Sequence, residues 1–171
     1  MRFRRKVCLL GAPGVGKTSL VRRFVDGEFD PGYKSSITMA IFKGALEIGD
    51  ISLEMMLWDP EGTAGWGQYN RSFISGASGL MFVADGTKPR TLDHLLEVQS
   101  KGRGFIGSRP AVLVINKSDL TAEFALTKSQ VDAAGKLDWH LVQASAKAGD
   151  NVDEAFVKLA ELMLEVRKAS A

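Results

Sequence analysis

The loop at residues 11–18 constrains this chain more than any other feature. It carries two glycines five positions apart, followed directly by a lysine and a threonine, which is the spacing of a phosphate-binding loop. The glycines allow consecutive backbone N–H groups to turn inward around an anion. An apolar run at residues 7–10 precedes the loop and a helical pattern follows it. The loop therefore joins a predicted strand to a predicted helix.

The rest of the chain continues this alternation of strands and helices. We predict strands over residues 3–10, 38–48, 51–58, 80–84, 112–115 and 141–144, and helices over 16–26, 90–101, 128–136 and 152–166. Gly49 and Asp50 predict a tight hairpin, so the second and third strands are antiparallel. The remaining strands predict an α/β fold, with a six-stranded, mostly parallel sheet and helices on both faces.

Length and composition indicate one soluble domain over residues 1–171. The chain is 45% hydrophobic and 25% charged, as globular domains are. Its net charge of +2 gives no indication of a nucleic-acid partner. No apolar run has the length of a membrane span. The one cysteine, Cys8, lies in the first apolar run, which predicts a buried side chain and excludes a disulfide within the chain.

Four residues suit the binding of phosphates and a metal ion. Lys17 adds a positive charge for the outer phosphates, and the Thr18 hydroxyl suits Mg²⁺, which prefers oxygen ligands. Asp59 follows the third predicted strand, and its carboxylate can hold Mg²⁺ through a water. The N–H of Gly62, three residues later, can reach a γ-phosphate.

A second group of residues predicts selectivity for guanine. The Asp119 carboxylate can accept hydrogen bonds from the guanine N1–H and amine, whereas adenine offers an acceptor there and no amine. Asn116 can bond the other edge of the base, and the stem of Lys117 can pack over its face. Residues 145–147 complete the predicted pocket, where the Ala146 N–H donates to the guanine carbonyl oxygen.

These motifs, in this order, resemble a small GTPase of the Ras superfamily over essentially the whole chain, nearest its Rab-like branch. The resemblance implies the three-layer P-loop NTPase fold and a switch that binds GTP or GDP with Mg²⁺ and hydrolyses GTP. Residues 30–38 and 59–76 would then contact an effector, an exchange factor or an activating protein. The resemblance implies nucleotide contacts by Gly11, Pro13, Gly14, Val15, Gly16, Lys17, Thr18, Ser19, Phe29, Asn116, Lys117, Asp119, Ser145, Ala146 and Lys147.

The resemblance also assigns the metal ligands and the catalytic residues. The implied Mg²⁺ ligands are Thr18, Ser36 and Asp59, with Thr38 as an alternative to Ser36, and the implied catalytic residues are Lys17, Gly62 and Thr63. By the same resemblance Phe29 packs edge-on against guanine, although a core aromatic is an open alternative. Elsewhere, Arg22 and Arg23 are predicted to form a solvated helix face.

The chain departs from the family pattern at several positions. Thr63 replaces the usual glutamine that orients the attacking water, and Pro13 crowds the phosphate loop where a small residue is common. Intrinsic hydrolysis should therefore be slow, unless Glu61, Gln68 or a partner protein supplies the missing group. A module that binds GTP with little hydrolysis is the alternative. The last residues carry no cysteine for a lipid anchor, so we expect a cytoplasmic protein, like bacterial or archaeal relatives, or a trimmed tail. The basic residues 2–6 leave peripheral contact with an acidic membrane surface open.

Overall fold

The structure, a computed structural model of the chain, describes residues 1–30, 32, 39–60 and 71–169. The strands are β1 (Arg2–Leu10), β2 (Met39–Ile48), β3 (Ile51–Pro60), β4 (Gly79–Asp85), β5 (Ala111–Asn116) and β6 (His140–Gln143). The helices are α1 (Lys17–Asp26), α2 (Arg71–Ile74), α3 (Pro89–Ile106), α4 (Lys128–Ala134) and α5 (Val152–Ala169).

The strands form one six-stranded sheet in the order β2-β3-β1-β4-β5-β6. β2 and β3 are antiparallel and meet at the predicted hairpin, where Ile48 lies opposite Ile51. All the other neighbouring pairs are parallel. The predicted α/β fold, with one antiparallel strand in a mostly parallel sheet, is confirmed. The carboxyl ends of the parallel strands lie along one edge, which is where such sheets bind ligands.

Helices cover both faces of the sheet because alternate strand residues point to opposite sides. Leu9 belongs to a buried cluster that includes Leu20 of α1 and Phe156 of α5. Leu10 belongs to a second buried cluster, which includes Leu92 of α3. The two clusters lie on opposite faces of the sheet and join it to the helices on each side, which gives the predicted arrangement of three layers.

The end of α3 differs from the prediction and has a clear physical cause. The predicted helix ends at residue 101, just before the glycines at 102 and 104, which weaken a helix. The helix instead continues to Ile106, which is 4% exposed and packs in the second cluster. It stops at Gly107, whose φ is 64°. Within the described residues, none of the helices is long and apolar enough to cross a lipid bilayer.

Cys8 is buried in the second cluster, as its place in the apolar run predicts. Its Sγ donates to the Phe73 carbonyl at 3.4 Å. Burial raises the pKa of this thiol to about 11. The thiol is therefore protonated at neutral pH and packs as a small apolar group.

Candidate functional site

Polar residues from three strands and two loops meet at the carboxyl edge of the sheet. The loop at residues 11–16 follows β1, and Asp59, Asp85 and Asn116 lie at the ends of β3, β4 and β5. Ser145 follows β6. Asp59, Asp85, Asn116 and Ser145 are each 0–2% exposed. Buried polar side chains need partners, so the contacts among these groups define the site.

The loop after β1 requires glycine at defined backbone positions. Gly14 and Gly16 have φ values of 78° and 101°, where other L-residues are strained. A side chain at Gly16 would also lie 2.2 Å from Asn116 Nδ2. Gly14 has open space around it, with no atom within 4 Å of such a position. The loop thus packs closely against β5 at Gly16 and faces outward at Gly14.

Lys17, the first residue of α1, lies within this loop. Its side chain is held by the backbone, since Nζ donates to the Gly11 carbonyl at 2.8 Å and to the Ala12 carbonyl at 3.2 Å. The residue is only 8% exposed. A cation held beside a helix N-terminus and a glycine-rich loop can bind an anion such as phosphate.

Thr18 and Asp59 come together next to the loop, although they are 41 residues apart. The Thr18 hydroxyl donates to Asp59 Oδ2. Asp59 is buried, because β3 continues two residues past its predicted end and carries the carboxylate into the sheet. A hydroxyl and a carboxylate are the hard oxygen donors that Mg²⁺ prefers, so this pair fits the ion that the sequence predicts.

Asn116 links the loop after β1 to the loop after β6. Its Nδ2 donates to the Val15 carbonyl at 3.0 Å, and its Oδ1 accepts from the Ala146 N–H at 3.0 Å. At 2% exposure the side chain is buried. The amide thus holds the two loops at a fixed separation, which makes it a structural brace of the site as well as a candidate base contact.

Lys117 is held over the loop by an acidic residue that sequence reasoning missed. Its Nζ donates to Asp85 Oδ2 at 2.6 Å and to the Gly14 carbonyl at 3.0 Å. The Asp85 side chain is 1% exposed, and its Oδ1 also accepts from the backbone N–H and the hydroxyl of Thr87. Burial alone would raise the pKa of Asp85, but these hydrogen bonds outweigh it and hold the pKa below its usual value.

The lowered pKa of Asp85 determines how its ion pair with Lys117 responds to pH. The contribution of Asp85 to stability is complete above its unfolded pKa of 3.8 and is lost only as the pH falls through the lower folded value. Lys117 therefore keeps its anionic partner throughout the neutral range. The signal available in the sequence was a charged residue at the end of the apolar run of β4.

Asp119 is oriented by the loop after β6. The Ser145 hydroxyl donates to Asp119 Oδ1 at 2.7 Å, and Ser145 Oγ accepts from the Ala148 N–H at 2.9 Å. Because the hydroxyl proton is directed to Oδ1, the rotation of the carboxylate is restrained. Asp119 is partly exposed, so it remains accessible to a ligand at the sheet edge.

The prediction for Arg23 is wrong, because its guanidinium is not simply solvated. Nε and Nη2 donate to the carbonyls of Ala146 and Lys147 at 2.8 and 2.6 Å, and Nη1 donates to the Gly27 carbonyl at 2.9 Å. Arg22 instead lies 3.9 Å from carboxylate oxygens of Asp26 and Asp30. Adjacent arginines on α1 thus have different partners.

The structure describes some of the other predicted site residues and leaves several outside the described ranges. Phe29 is partly buried and packs against the first core cluster, which suits its alternative role as a core aromatic. Pro13 is exposed at the outer side of the loop, and Ser19 is partly buried. Ser36, Thr38, Gly62 and Thr63, and most of the predicted contact segments 30–38 and 59–76, lie outside the described residues.

Comparison with protein families identifies the family to which this chain belongs. The family model described as the Ras family matches residues 6–165. The match covers most of the chain, and the chain therefore belongs to the Ras family. Members of this family are, in general, GTP-binding switches.

Proposed function

We propose that this protein binds GTP and GDP with Mg²⁺ and slowly hydrolyses GTP, and that the two nucleotide states give it different affinities for partner proteins. The observation that carries the proposal is the double contact of Asn116. One buried amide joins the loop suited to phosphate, through Val15, to the loop suited to a base, through Ala146. A ligand with a base at one end and phosphates at the other fits this arrangement.

The phosphate end of the proposed site would use the glycine loop and the start of α1. Lys17 would provide the positive charge, and backbone N–H groups of the loop and of the first turn of α1 would provide donors. Thr18 and Asp59, together with Ser36, would hold Mg²⁺. When bound, the ion would neutralise charge that develops on the phosphate oxygens. Gly62 would donate its N–H to the γ-phosphate.

The base end rests on Asp119, Asn116 and the loop after β6. Ser145 holds Asp119 so that its carboxylate can accept from the two donors of guanine. In the structure the Ala146 N–H donates to Asn116 Oδ1. A guanine carbonyl would therefore share this donor or use the next one, the N–H of Lys147. Asp85 fixes the Lys117 stem that would cover the base.

Thr63 and Pro13 set the expected rate of hydrolysis. Threonine has a shorter side chain than the usual glutamine, and its hydroxyl cannot donate and accept from the separated atoms of an amide. The attacking water is then poorly oriented, which lowers the rate. The same two residues support the alternative function, in which the protein holds GTP with little hydrolysis until a partner completes the site.

Single-turnover hydrolysis tests this proposal. The purified protein is loaded with GTP and Mg²⁺, and GTP and GDP are separated by chromatography over several hours. We expect slow conversion that Lys17→Ala abolishes. We expect Thr63→Gln to raise the rate by about 10- to 100-fold, because the longer amide can orient the water.

The matched control is Thr63→Val, which keeps the shape of threonine and removes its hydroxyl. This variant should retain the slow rate if the hydroxyl contributes nothing. Unchanged turnover in Thr63→Gln would contradict the view that residue 63 limits hydrolysis. GTP that stays intact in the wild-type protein would favour the alternative of a binding module.

A further inference from the structure

Arg23 connects the last turns of α1 to the loop after β6. Its three hydrogen bonds all go to backbone carbonyls, two in the loop, at Ala146 and Lys147, and one at Gly27 after α1. Its side chain also lies beside Gly149, where a Cβ would be 3.8 Å from Arg23 Nε and 4.0 Å from Cζ. One guanidinium thus covers the outer side of the loop after β6. Its planar fork of N–H donors suits hydrogen bonding to several carbonyls better than the ammonium group of a lysine does.

A continuous chain of hydrogen bonds runs from Arg23 to Asp119. Arg23 Nη2 donates to the Lys147 carbonyl at 2.6 Å. The N–H at the other side of the same peptide, that of Ala148, donates to Ser145 Oγ at 2.9 Å. The Ser145 hydroxyl then donates to Asp119 Oδ1 at 2.7 Å. Linked hydrogen bonds polarise and align one another, so the position of Asp119 depends on Arg23.

The neighbouring peptide is also oriented by Arg23. Nε holds the Ala146 carbonyl at 2.8 Å. In a planar trans peptide the N–H points away from the carbonyl, so the Lys147 N–H is directed away from Arg23. Arg23 therefore controls both kinds of group that the proposed pocket offers to guanine, the carboxylate acceptor and the backbone donor.

We propose that Arg23 is a positioning residue for base selectivity, which aligns Asp119 and the backbone N–H of Lys147 without touching the nucleotide. This inference rests on the proposed guanine-nucleotide function. It predicts that loss of the Arg23 hydrogen bonds weakens recognition of the base and not only overall affinity. A residue that merely stabilised the fold would weaken the binding of every nucleotide to the same extent.

The test measures dissociation constants of three diphosphates for the wild type and Arg23→Met. GDP carries all the recognised groups, and inosine diphosphate lacks the amine that Asp119 would bind. The diphosphate of 2-aminopurine riboside lacks the carbonyl that the backbone would bind and also the N1–H that Asp119 would bind. We expect the wild type to prefer GDP over both analogues. In Arg23→Met we expect each preference to shrink by about tenfold, the effect of one charge-assisted hydrogen bond.

Arg22→Met is the matched control, because it removes the same charge from the next residue of α1, whose ion pairs are with Asp26 and Asp30. Its two preferences should equal those of the wild type. If Arg23→Met does not fold, Arg23→Lys replaces it, since lysine keeps the charge and lacks the fork. That variant should shrink at least one preference by about threefold or more.

The outcomes separate this inference from the function on which it rests. A wild type with no preference for GDP over the analogues would overturn the proposed function, and the inference with it. A wild-type preference that is unchanged in the Arg23 variants, or equally reduced in Arg22→Met, would overturn only the role of Arg23.

Discussion

Asp119→Asn is expected to lower the affinity for GDP by about 1,000-fold or more, the largest effect of any single change on base recognition. In the proposed site the carboxylate accepts from both the N1–H and the amine of guanine. The asparagine amide has one acceptor and one donor group, so one of the two pairs becomes donor against donor. Xanthine carries a carbonyl in place of the amine, so its diphosphate should bind the variant better than the wild type. Competition against a fluorescent guanine nucleotide measures both changes.

The structure strengthens this expectation because a side chain at position 119 is held in place and cannot easily rotate to relieve the mismatch. Ser145 Oγ lies 2.7 Å from Oδ1, and that hydroxyl also accepts from the Ala148 N–H at 2.9 Å. Asp132→Asn, an exposed change of the same kind on α4, is the control and should leave GDP binding unchanged. Equal GDP affinity in Asp119→Asn and the wild type would remove Asp119 from the base pocket.

Gly16→Ala is expected to destabilise the folded protein by about 4 kcal/mol and to remove measurable GDP binding. The new Cβ would lie 2.2 Å from Asn116 Nδ2, and the φ of 101° is itself unfavourable for alanine. Asn116 would have to move, which breaks its bonds to the Val15 carbonyl and the Ala146 N–H. One added methyl group thus disturbs both loops of the site. Urea unfolding measures the change in the free energy of unfolding.

Gly14→Ala separates the collision from the backbone strain. Gly14 also has a positive φ, 78°, but no atom lies within 4 Å of an added Cβ. We expect this variant to lose only about 1–2 kcal/mol, from strain alone. The same loss of stability in the two variants would show that contact between Gly16 and Asn116 does not matter.

The parts of the site that consist of short sequence motifs were predictable from the sequence. The glycine loop follows a strand, and Asp59 and Asn116 lie at the carboxyl ends of strands. The carboxyl ends of parallel strands share an edge of the sheet whatever the other residues are. The hairpin at Gly49 and Asp50 was also a local signal. Local patterns suffice where the chemistry depends on neighbours in the chain.

The parts that were missed depend on contacts between distant segments. Arg23 is 123 residues from Ala146 in the sequence. The helical periodicity of α1 marks both Arg22 and Arg23 as polar positions and does not distinguish between them. Asp85 stands out as a charged residue at the end of an apolar run, but its partner Lys117 is 32 residues away, so the local sequence does not reveal the pair. The extension of α3 has the same cause, because burial of Ile106 outweighs the low helix propensity of two nearby glycines.

The most direct test of the account is the selectivity of the wild-type protein for guanine over adenine. Isothermal titration with GDP and with ADP, each with Mg²⁺, compares two ligands that have the same phosphates and sugar and differ only in the base. We predict that GDP binds at least about 1,000-fold more tightly, because adenine would leave Asp119 facing an acceptor. Equal affinities would mean that the sheet edge binds phosphates without reading the base, and tighter binding of ADP would contradict the account.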